Sequence, residues 1–392
     1  MERESCGAGP EPVGEPMGGL YVHIPFCLKK CAYCDFYSLA DRTRLPDFLK
    51  ALEREILLTG ENGFPCDTVY FGGGTPSLIP PEAIAGLLSV IRRSHRLREP
   101  AEITLEVNPG TVTEETLAGY RKAGVNRLSI GVQSFSDRNL SFLGRIHTAE
   151  QARALIPAAR EAGFDNIGLD LIYGLPGQSE ADWTEDLRQA WEYAPEHLSC
   201  YLLSYEPGTP LTARRDSGAF TVLPDGGAAR LFRTTAAFLT DRGWEHYEIS
   251  NFARRPCYRS RHNRKYWSFA PYCGLGPSAH SLRGKRRYWN HRDLERWLAA
   301  LESGRLPVAA EEILNPRQQM MEAIFLGFRQ ARGIDLGEFE KRFGVGFGKR
   351  FGPAVESLDK TGLLVATADN CRLTTAGMLL LDSIVDRFVE MV

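Results

Sequence analysis

Short apolar runs recur along the first half of the chain, and a segment with helical periodicity follows most of them. The predicted strands are residues 19–24, 67–73, 102–107, 126–132, 166–174 and 197–204. The predicted helices are residues 44–59, 81–96, 114–123, 149–162 and 181–193. The runs are nearly continuous in Val, Ile, Leu and Tyr, which is typical of strands buried on both faces. This alternation predicts an α/β protein with a parallel sheet, either doubly wound or a partial or full barrel.

Local signals mark the ends of several of these helices. Thr148 with Gln151 and Ser179 with Asp182 have the spacing of capping boxes, in which each side chain bonds to the other residue's backbone N–H. Glycine favours the left-handed conformation that often ends a helix, and it closes three of the predicted helices, at positions 60, 124 and 163.

The alternation ends near residue 225, and the pattern predicts two further regions. Residues 225–312 mix helical and extended patterns around the hexapeptide "HNRKYW". Residues 313–392 begin with a capping signal, Asn315 with Gln318, and predict three helices, a hairpin turning at Asp369–Asn370 and a last helix. That order resembles a winged-helix module. Because the segment has no densely basic helix, a docking or packing role is favoured over DNA binding.

Length and charge narrow the class of protein. The 392 residues exceed the usual size of one core, so we expect a disordered tail over 1–18 and a core over 19–224 before the two regions above. The 47 basic and 49 acidic residues nearly cancel, which argues against nucleic acid as a partner. There is no apolar run long enough for a transmembrane segment and no apolar signal core, so we expect a cytoplasmic protein.

Three of the nine cysteines fall within eight residues, at Cys27, Cys31 and Cys34. This distribution favours metal binding in a reducing compartment over a disulfide framework. A zinc knuckle would need His23 or Asp35 as its fourth ligand, and three buried thiols without a metal are another alternative. A [4Fe-4S] cluster on three thiolates would leave one iron open to a chelating ligand, such as the amino and carboxylate groups of S-adenosylmethionine.

Other unusual residues also follow predicted strands. "GGGTP" comes after the second strand, Glu106 closes the third, and Gln133 follows the fourth. A tight turn would also account for the glycines, and a surface position for Glu106. Asp170 lies inside the apolar fifth strand, where a carboxylate is costly unless a partner compensates it. Both candidate architectures place their chemistry at the carboxyl ends of strands, so these residues and the cysteines predict one common site.

The cysteine spacing, with Tyr33 before the last cysteine and "GGGTP" after the second strand, resembles the radical S-adenosylmethionine superfamily. Within it, six stretches resemble the oxygen-independent coproporphyrinogen III oxidase family: "YVHIPFC", "GGGTPS", "SIGVQSF", "LGRIH", "DLIYGLPGQ" and "YLLSYEPGTPL". They cover residues 19 to about 212, and the similarity continues to the C-terminus. The resemblance implies a partial parallel (β/α)6 barrel with a C-terminal helical, winged-helix-like domain. It also implies a [4Fe-4S] cluster on the three cysteines and S-adenosylmethionine at its open iron.

The resemblance further implies roles for individual residues. Those that match contacts to the cluster-bound S-adenosylmethionine are Tyr21, Gly73, Gly74, Thr75 and Glu106. Those that match contacts to a second S-adenosylmethionine in the oxidases are Tyr33, Gln133, Arg145, Asp170 and Ser204.

The residue type at the position of Phe36 distinguishes two groups within this family. The resemblance implies a further cysteine here in the oxidases, whereas a sister group of heme chaperones has phenylalanine here and the pattern HNxxYW elsewhere. Phe36 and "HNRKYW" thus imply a protein that binds heme and transfers it to acceptor apoproteins, including membrane respiratory enzymes. The competing hypothesis is an oxidase that decarboxylates two propionates of coproporphyrinogen III. A nucleic-acid binder with a structural metal is a third hypothesis, disfavoured by the balanced charge.

Within "HNRKYW", we expect His262 to be the axial ligand of heme iron, with Tyr266 and Trp267 as flat surfaces for the porphyrin. A structural role for the hexapeptide is the alternative. Ligation by another histidine, such as His280 in "GPSAH", is a further one.

Overall fold

Six parallel strands form the centre of one large sheet in the computed structural model, which describes residues 17–61 and 63–392. They are β1 (Gly18–Ile24), β2 (Cys66–Gly73), β3 (Leu97–Val107), β4 (Arg127–Gln133), β5 (Ile167–Tyr173) and β6 (His197–Leu202). Each strand pairs in parallel with the next along the chain, as the alternation predicts. The start of β3 was not predicted, because the exposed residues Arg98, Glu99 and Pro100 interrupt its apolar pattern.

Seven helices connect or follow these strands. They are α1 (Leu45–Gly60), α2 (Pro81–Ser94), α3 (Glu114–Ala123), α4 (Asp137–Leu143), α5 (Ala149–Glu161), α6 (Glu180–Glu192) and α7 (Pro210–Asp216). The five predicted helices are confirmed within two residues at each end, whereas the two-turn helices α4 and α7 are too short to give a periodic signal. The capping boxes at α5 and α6 are present. Gly124 and Gly163 are left-handed as expected, but Gly60 is the last residue inside α1.

The segment after residue 224 extends this sheet at both edges. Its elements are α8 (Asp225–Thr240), β7 (Glu245–Glu248), β8 (Asn251–Ala253), α9 (Arg261–Trp267), β9 (Tyr272–Leu275), β10 (His280–Arg283), β11 (Arg286–Asn290), α10 (Leu294–Glu302) and β12 (Val308–Ile313). β8 and β7 are antiparallel additions beside β6, while β9 lies parallel to β1 and leads into antiparallel β10, β11 and β12. Among the described residues the sheet therefore has twelve strands.

The C-terminal region is helical with a small sheet. Three helices and a hairpin come in the predicted order, but two helices follow the hairpin where one was predicted, and Asn370 already lies in the second strand of the hairpin. Its elements are α11 (Pro316–Arg329), β13 (Ile334–Asp335), α12 (Leu336–Phe343), α13 (Phe347–Lys360), β14 (Leu364–Ala366), β15 (Asn370–Leu373), α14 (Thr375–Met378) and α15 (Leu381–Val389). The β14–β15 hairpin turns over residues 367–369, and a capping box opens α11. Its core is a cluster of phenylalanine rings from α11, α13 and α15.

The architecture is a partial parallel barrel with a helical C-terminal region, as the sequence and the resemblance predict. Most of the tail predicted over 1–18 lies outside the described residues, and Gly18 already begins β1. Within the described part of the chain, no helix is both long and apolar enough to cross a membrane. The carboxyl ends of the six parallel strands converge on one cavity.

Candidate functional site

A cavity of about 1040 Å³ opens at the carboxyl ends of β1 to β6. The residues of its wall that were predicted as cofactor or metal contacts are Tyr21, Cys27, Cys31, Tyr33, Cys34, Gly73, Gly74, Thr75, Glu106, Gln133, Arg145, Asp170 and Ser204. They come from all six parallel strands or the loops that follow them, because parallel strands present their ends at the same edge. The structure therefore brings this whole predicted set together.

The three clustered cysteines lie in the loop between β1 and α1. Thr75 Oγ1 donates a hydrogen bond to Cys27 Sγ (3.5 Å), and Arg145 Nη1 donates one to Cys31 Sγ (3.5 Å). Burial raises the pKa of the Cys34 thiol to about 11. A positively charged iron centre would offset that burial by favouring the thiolate. In the described part of the chain, no three His, Cys, Asp or Glu side chains are placed to hold a single metal ion.

The glycine turn after β2 packs directly against the end of β1. Gly73 has a φ of +111°, and a Cβ there would lie 2.7 Å from the ring of His23. A Cβ on Gly74 would lie 2.6 Å from the carbonyl oxygen of Phe26. Only glycine fits this turn without displacing its neighbours, and the turn's backbone consequently lines the cavity without side chains.

Glu106 faces the cavity from β3, and none of the described residues gives it a cationic partner. Its Oε1 accepts a hydrogen bond from the Tyr70 hydroxyl (2.8 Å), and its Oε2 accepts one from the backbone N–H of Gly73 (3.2 Å). Burial, with a smaller contribution from the charge of Asp170, raises the pKa of Glu106 to about 7. A ligand with a positive charge would compensate this carboxylate. The amino group and sulfonium of S-adenosylmethionine meet that requirement.

The adjoining wall, formed by β4 and β5, is also polar. Burial raises the pKa of Asp170, which accepts a hydrogen bond from Ser129 Oγ (2.9 Å). Arg145 donates to the carbonyl oxygen of Gly131 (3.0 Å) and to Asn108, but its buried Nε has no partner among the described residues. Among the described residues, the Arg145 Nε–H is therefore the polar group of this wall that lacks an acceptor.

Gln133 ends β4 with a φ of 64°, a left-handed conformation that is uncommon outside glycine and costs about 1–2 kcal/mol. Strained residues of this kind cluster at binding sites. The conformation fits the prediction that Gln133 contacts a ligand.

Sequence reasoning missed several polar residues of the wall. Examples are Tyr70, Thr104 and Ser129, and His23 was considered only as a zinc ligand. His23 lies two residues from Tyr21, and Thr104 two residues from Glu106, so each shares a strand face with a predicted site residue. Alternation along the strand was therefore a signal that would have found them.

The "HNRKYW" segment forms α9, and only part of it reaches the cavity. His262 and Tyr266 contribute to the wall. The His262 ring is 1% exposed, with hydrogen bonds joining its Nδ1 to the Thr68 hydroxyl (2.8 Å) and its Nε2 to the Tyr266 hydroxyl (2.9 Å). Burial lowers the pKa of His262 to about 3. Trp267 instead packs beside Tyr247, with ring centroids 6.0 Å apart.

The mouth of the cavity carries exposed apolar side chains. Phe36 is 64% exposed, and Leu28, Ile146 and Leu202 are each at least 40% exposed. Exposed apolar side chains grouped at the rim of a cavity are typical of a binding surface for an apolar ligand.

Comparisons with known proteins agree with this geometry. The Radical SAM superfamily model matches residues 21–190, and the HemN C-terminal domain model matches residues 314–380. The protein "Heme chaperone HemW" of Mycobacterium tuberculosis is 36% identical over 97% of this chain and 97% of its own length. "Heme chaperone HemW" of Escherichia coli is 36% identical over 95% of this chain and 98% of its own length. Coproporphyrinogen III oxidase (HemN) from Escherichia coli superposes with a TM-score of 0.82 at 26% identity, covering 96% of this chain and 91% of the oxidase chain.

Proposed function

Because the chain belongs to the heme chaperone HemW family of the radical S-adenosylmethionine superfamily, we propose that it binds heme and transfers it to acceptor apoproteins. Membrane respiratory enzymes are the proposed acceptors. Relatives that carry the heme chaperone name over nearly their whole length support the heme function.

The observation that carries this proposal is the position of Phe36 at the cavity mouth. Its ring is 64% exposed and follows the third cysteine by two residues. The family resemblance implies a further cysteine here in the oxidases, and a phenyl ring offers iron no ligand. An exposed ring at the entrance instead provides a flat apolar surface, which suits a porphyrin.

The proposed resident cofactors are a [4Fe-4S] cluster on Cys27, Cys31 and Cys34 and S-adenosylmethionine at its open iron. When bound, the cluster supplies single electrons to the sulfonium, which is chemistry that no side chain provides. Glu106 would pair with the positive charge of the ligand, and the glycine turn would admit its methionyl end against the backbone. The absence of a cationic partner for Glu106 among the described residues supports this assignment.

The test is anaerobic reconstitution of the full chain with iron and sulfide, followed by two separate assays. A heme titration should produce a Soret band that saturates, and heme should move from the loaded protein to an apoprotein of a heme enzyme. Coproporphyrinogen III should remain unchanged under reducing conditions with S-adenosylmethionine present. Failure of the wild-type protein to take up heme would contradict the proposal.

An oxidase is the second candidate, and one observation favours it. The five residues matched to a second S-adenosylmethionine line the same cavity as the cysteines, within a fold close to that of HemN. Formation of protoporphyrinogen IX by the cluster-loaded protein would establish that activity and overturn the chaperone assignment.

A further inference from the structure

The enclosure of His262 makes it a poor ligand for heme iron. An iron atom needs an imidazole nitrogen with a free lone pair. Both ring nitrogens of His262 are hydrogen-bonded inside the protein, to Thr68 and Tyr266, and only 1% of the residue is exposed. Its backbone N–H also donates to Glu102 Oε1 (3.1 Å), which fixes the start of α9. Ligation by His262 would require breaking one of these bonds and turning the ring out of the wall.

His280 offers the opposite arrangement at the same cavity. It is the first residue of β10, it is exposed, and it forms part of the cavity lining. Its ring stacks on Trp289 of β11 with centroids 5.6 Å apart and an interplanar angle of 26°. Within the described part of the chain, neither ring nitrogen of His280 has a hydrogen-bond partner. Partial burial and nearby Arg287 lower the pKa of His280, which favours the neutral imidazole that ligation requires.

A backbone hydrogen bond joins the loop before His280 to the segment that carries Arg292. Arg292 lines the cavity, its guanidinium lies 5.8 Å from the centroid of the Tyr37 ring, and it forms no ion pair with a described residue. The backbone N–H of Ser278 donates to the carbonyl oxygen of His291 (3.0 Å), which holds the loop before β10 against the residue preceding Arg292. A neutral imidazole and an unpaired cation thus occupy the same end of the cavity.

Apolar surface completes this end of the cavity. Tyr37, under Arg292, directly follows Phe36, the exposed ring at the mouth. Heme combines a flat apolar macrocycle, two propionates and an iron that binds imidazole. Each of these three chemical groups has a counterpart here.

We propose that His280, and not His262, is the axial ligand of heme iron, with Arg292 paired to a propionate and Phe36 against the porphyrin face. This inference rests on the proposed heme-binding function and specifies where it occurs. His262 then has a positioning role, because it ties α9 to β2 through Thr68.

The test is a heme titration of the full chain, followed by absorption and electron paramagnetic resonance spectroscopy. His280→Ala should shift the Soret band and weaken heme binding at least tenfold, and added imidazole should restore the band position. His291→Ala, which changes a neighbouring histidine outside the cavity wall, is the matched control and should behave as wild type. His262→Gln should keep the wild-type band position; because this variant risks misfolding, Tyr266→Phe provides a second way to disturb His262 while keeping its ring.

Arg292→Ala should weaken heme binding by about twofold to fivefold without moving the Soret band, as expected for one partly exposed ion pair. Arg296→Ala, at an exposed position on α10, is its control. A wild-type spectrum and affinity in His280→Ala would overturn the inference while leaving the proposed function intact. Loss of the band only in folded His262→Gln would assign the iron to His262 instead. No heme uptake by the wild-type protein would overturn both proposals.

Discussion

Two glutamates, Glu55 buried in the interior and Glu106 half-buried in the cavity wall, show that the same chemical group can have different roles. Glu55 is 1% exposed and accepts hydrogen bonds from the backbone N–H of Gly276 (2.7 Å) and from Asn290 Nδ2 (2.6 Å). It joins α1 to the added strands β9 and β11. Glu106 also accepts two hydrogen bonds, but it faces the cavity. Burial raises the pKa of both carboxyls, to about 8 and about 7 respectively. A raised pKa alone therefore does not mark a binding group, whereas access to a cavity does.

The described cysteines also form two groups, one that lines the cavity and one that is enclosed in the interior. Cys27, Cys31 and Cys34 line the cavity, while the other described free thiols are enclosed: Cys66, Cys200, Cys273 and Cys371. Burial raises the pKa of the Cys371 thiol to about 12. An enclosed thiol of this kind acts as a small apolar group and not as a ligand.

The largest effect is expected when the three cysteines that line the cavity are removed. The triple variant Cys27→Ala, Cys31→Ala, Cys34→Ala should lose the iron–sulfur absorbance completely after anaerobic reconstitution, and its iron content should fall to background. Cys371→Ala, in the C-terminal region, should keep both. A wild-type cluster spectrum in the triple variant would show that the ligands lie elsewhere.

Substitution of the two glutamates should affect the affinity for S-adenosylmethionine differently, as measured by calorimetric titration. Glu106→Gln removes the charge that faces the ligand and should weaken binding by roughly tenfold to a hundredfold, or about 1–3 kcal/mol. Glu55→Gln, which changes a buried carboxyl outside the cavity wall, should leave the affinity unchanged. Equal affinities in wild type and Glu106→Gln would reduce Glu106 to a structural role.

The glycine turn provides a comparison of stability. Gly73→Ala adds a Cβ at 2.7 Å from His23 at a φ of +111°, so strain and overpacking together should cost about 2–5 kcal/mol of unfolding free energy. Gly218→Ala is the control, because its φ of +73° is also left-handed but the space around it is open, and it should cost about 1–2 kcal/mol. Urea denaturation measures both, and equal costs would contradict the close packing of the turn.

The cavity wall was more predictable from the sequence than the enclosed interior, for a physical reason. The cysteines, the glycine turn and Glu106 each follow a strand, and parallel strands bring their ends together whatever the details of packing. The strands β11 and β12 consist mostly of exposed or half-buried residues, so no apolar run in the sequence predicted them. The hydrogen bond between His262 and Thr68 joins residues 194 positions apart. A local sequence pattern cannot predict a contact between residues so far apart in the chain. The burial of the His262 ring was therefore not predicted.

The most gradual expected effect is the pH dependence of stability, which also distinguishes the two glutamates. The folded protein holds a proton on Glu55 up to a pKa of about 8, whereas a glutamate in the unfolded chain releases it near pH 4.3. Between these values the folded state binds more protons than the unfolded state. The contribution of Glu55 to stability is therefore full below about pH 4 and falls as pH rises toward 8.

The difference in unfolding free energy between wild type and Glu55→Gln should therefore fall from pH 5 to pH 8, with a slope of at most about 1.4 kcal/mol per pH unit. For Glu106→Gln the same difference should level off earlier, because the pKa of Glu106 is raised only to about 7. Urea denaturation across this pH range measures both curves. A flat difference for Glu55→Gln would mean that the carboxyl is ionised in the folded protein and that its hydrogen bonds alone offset its burial.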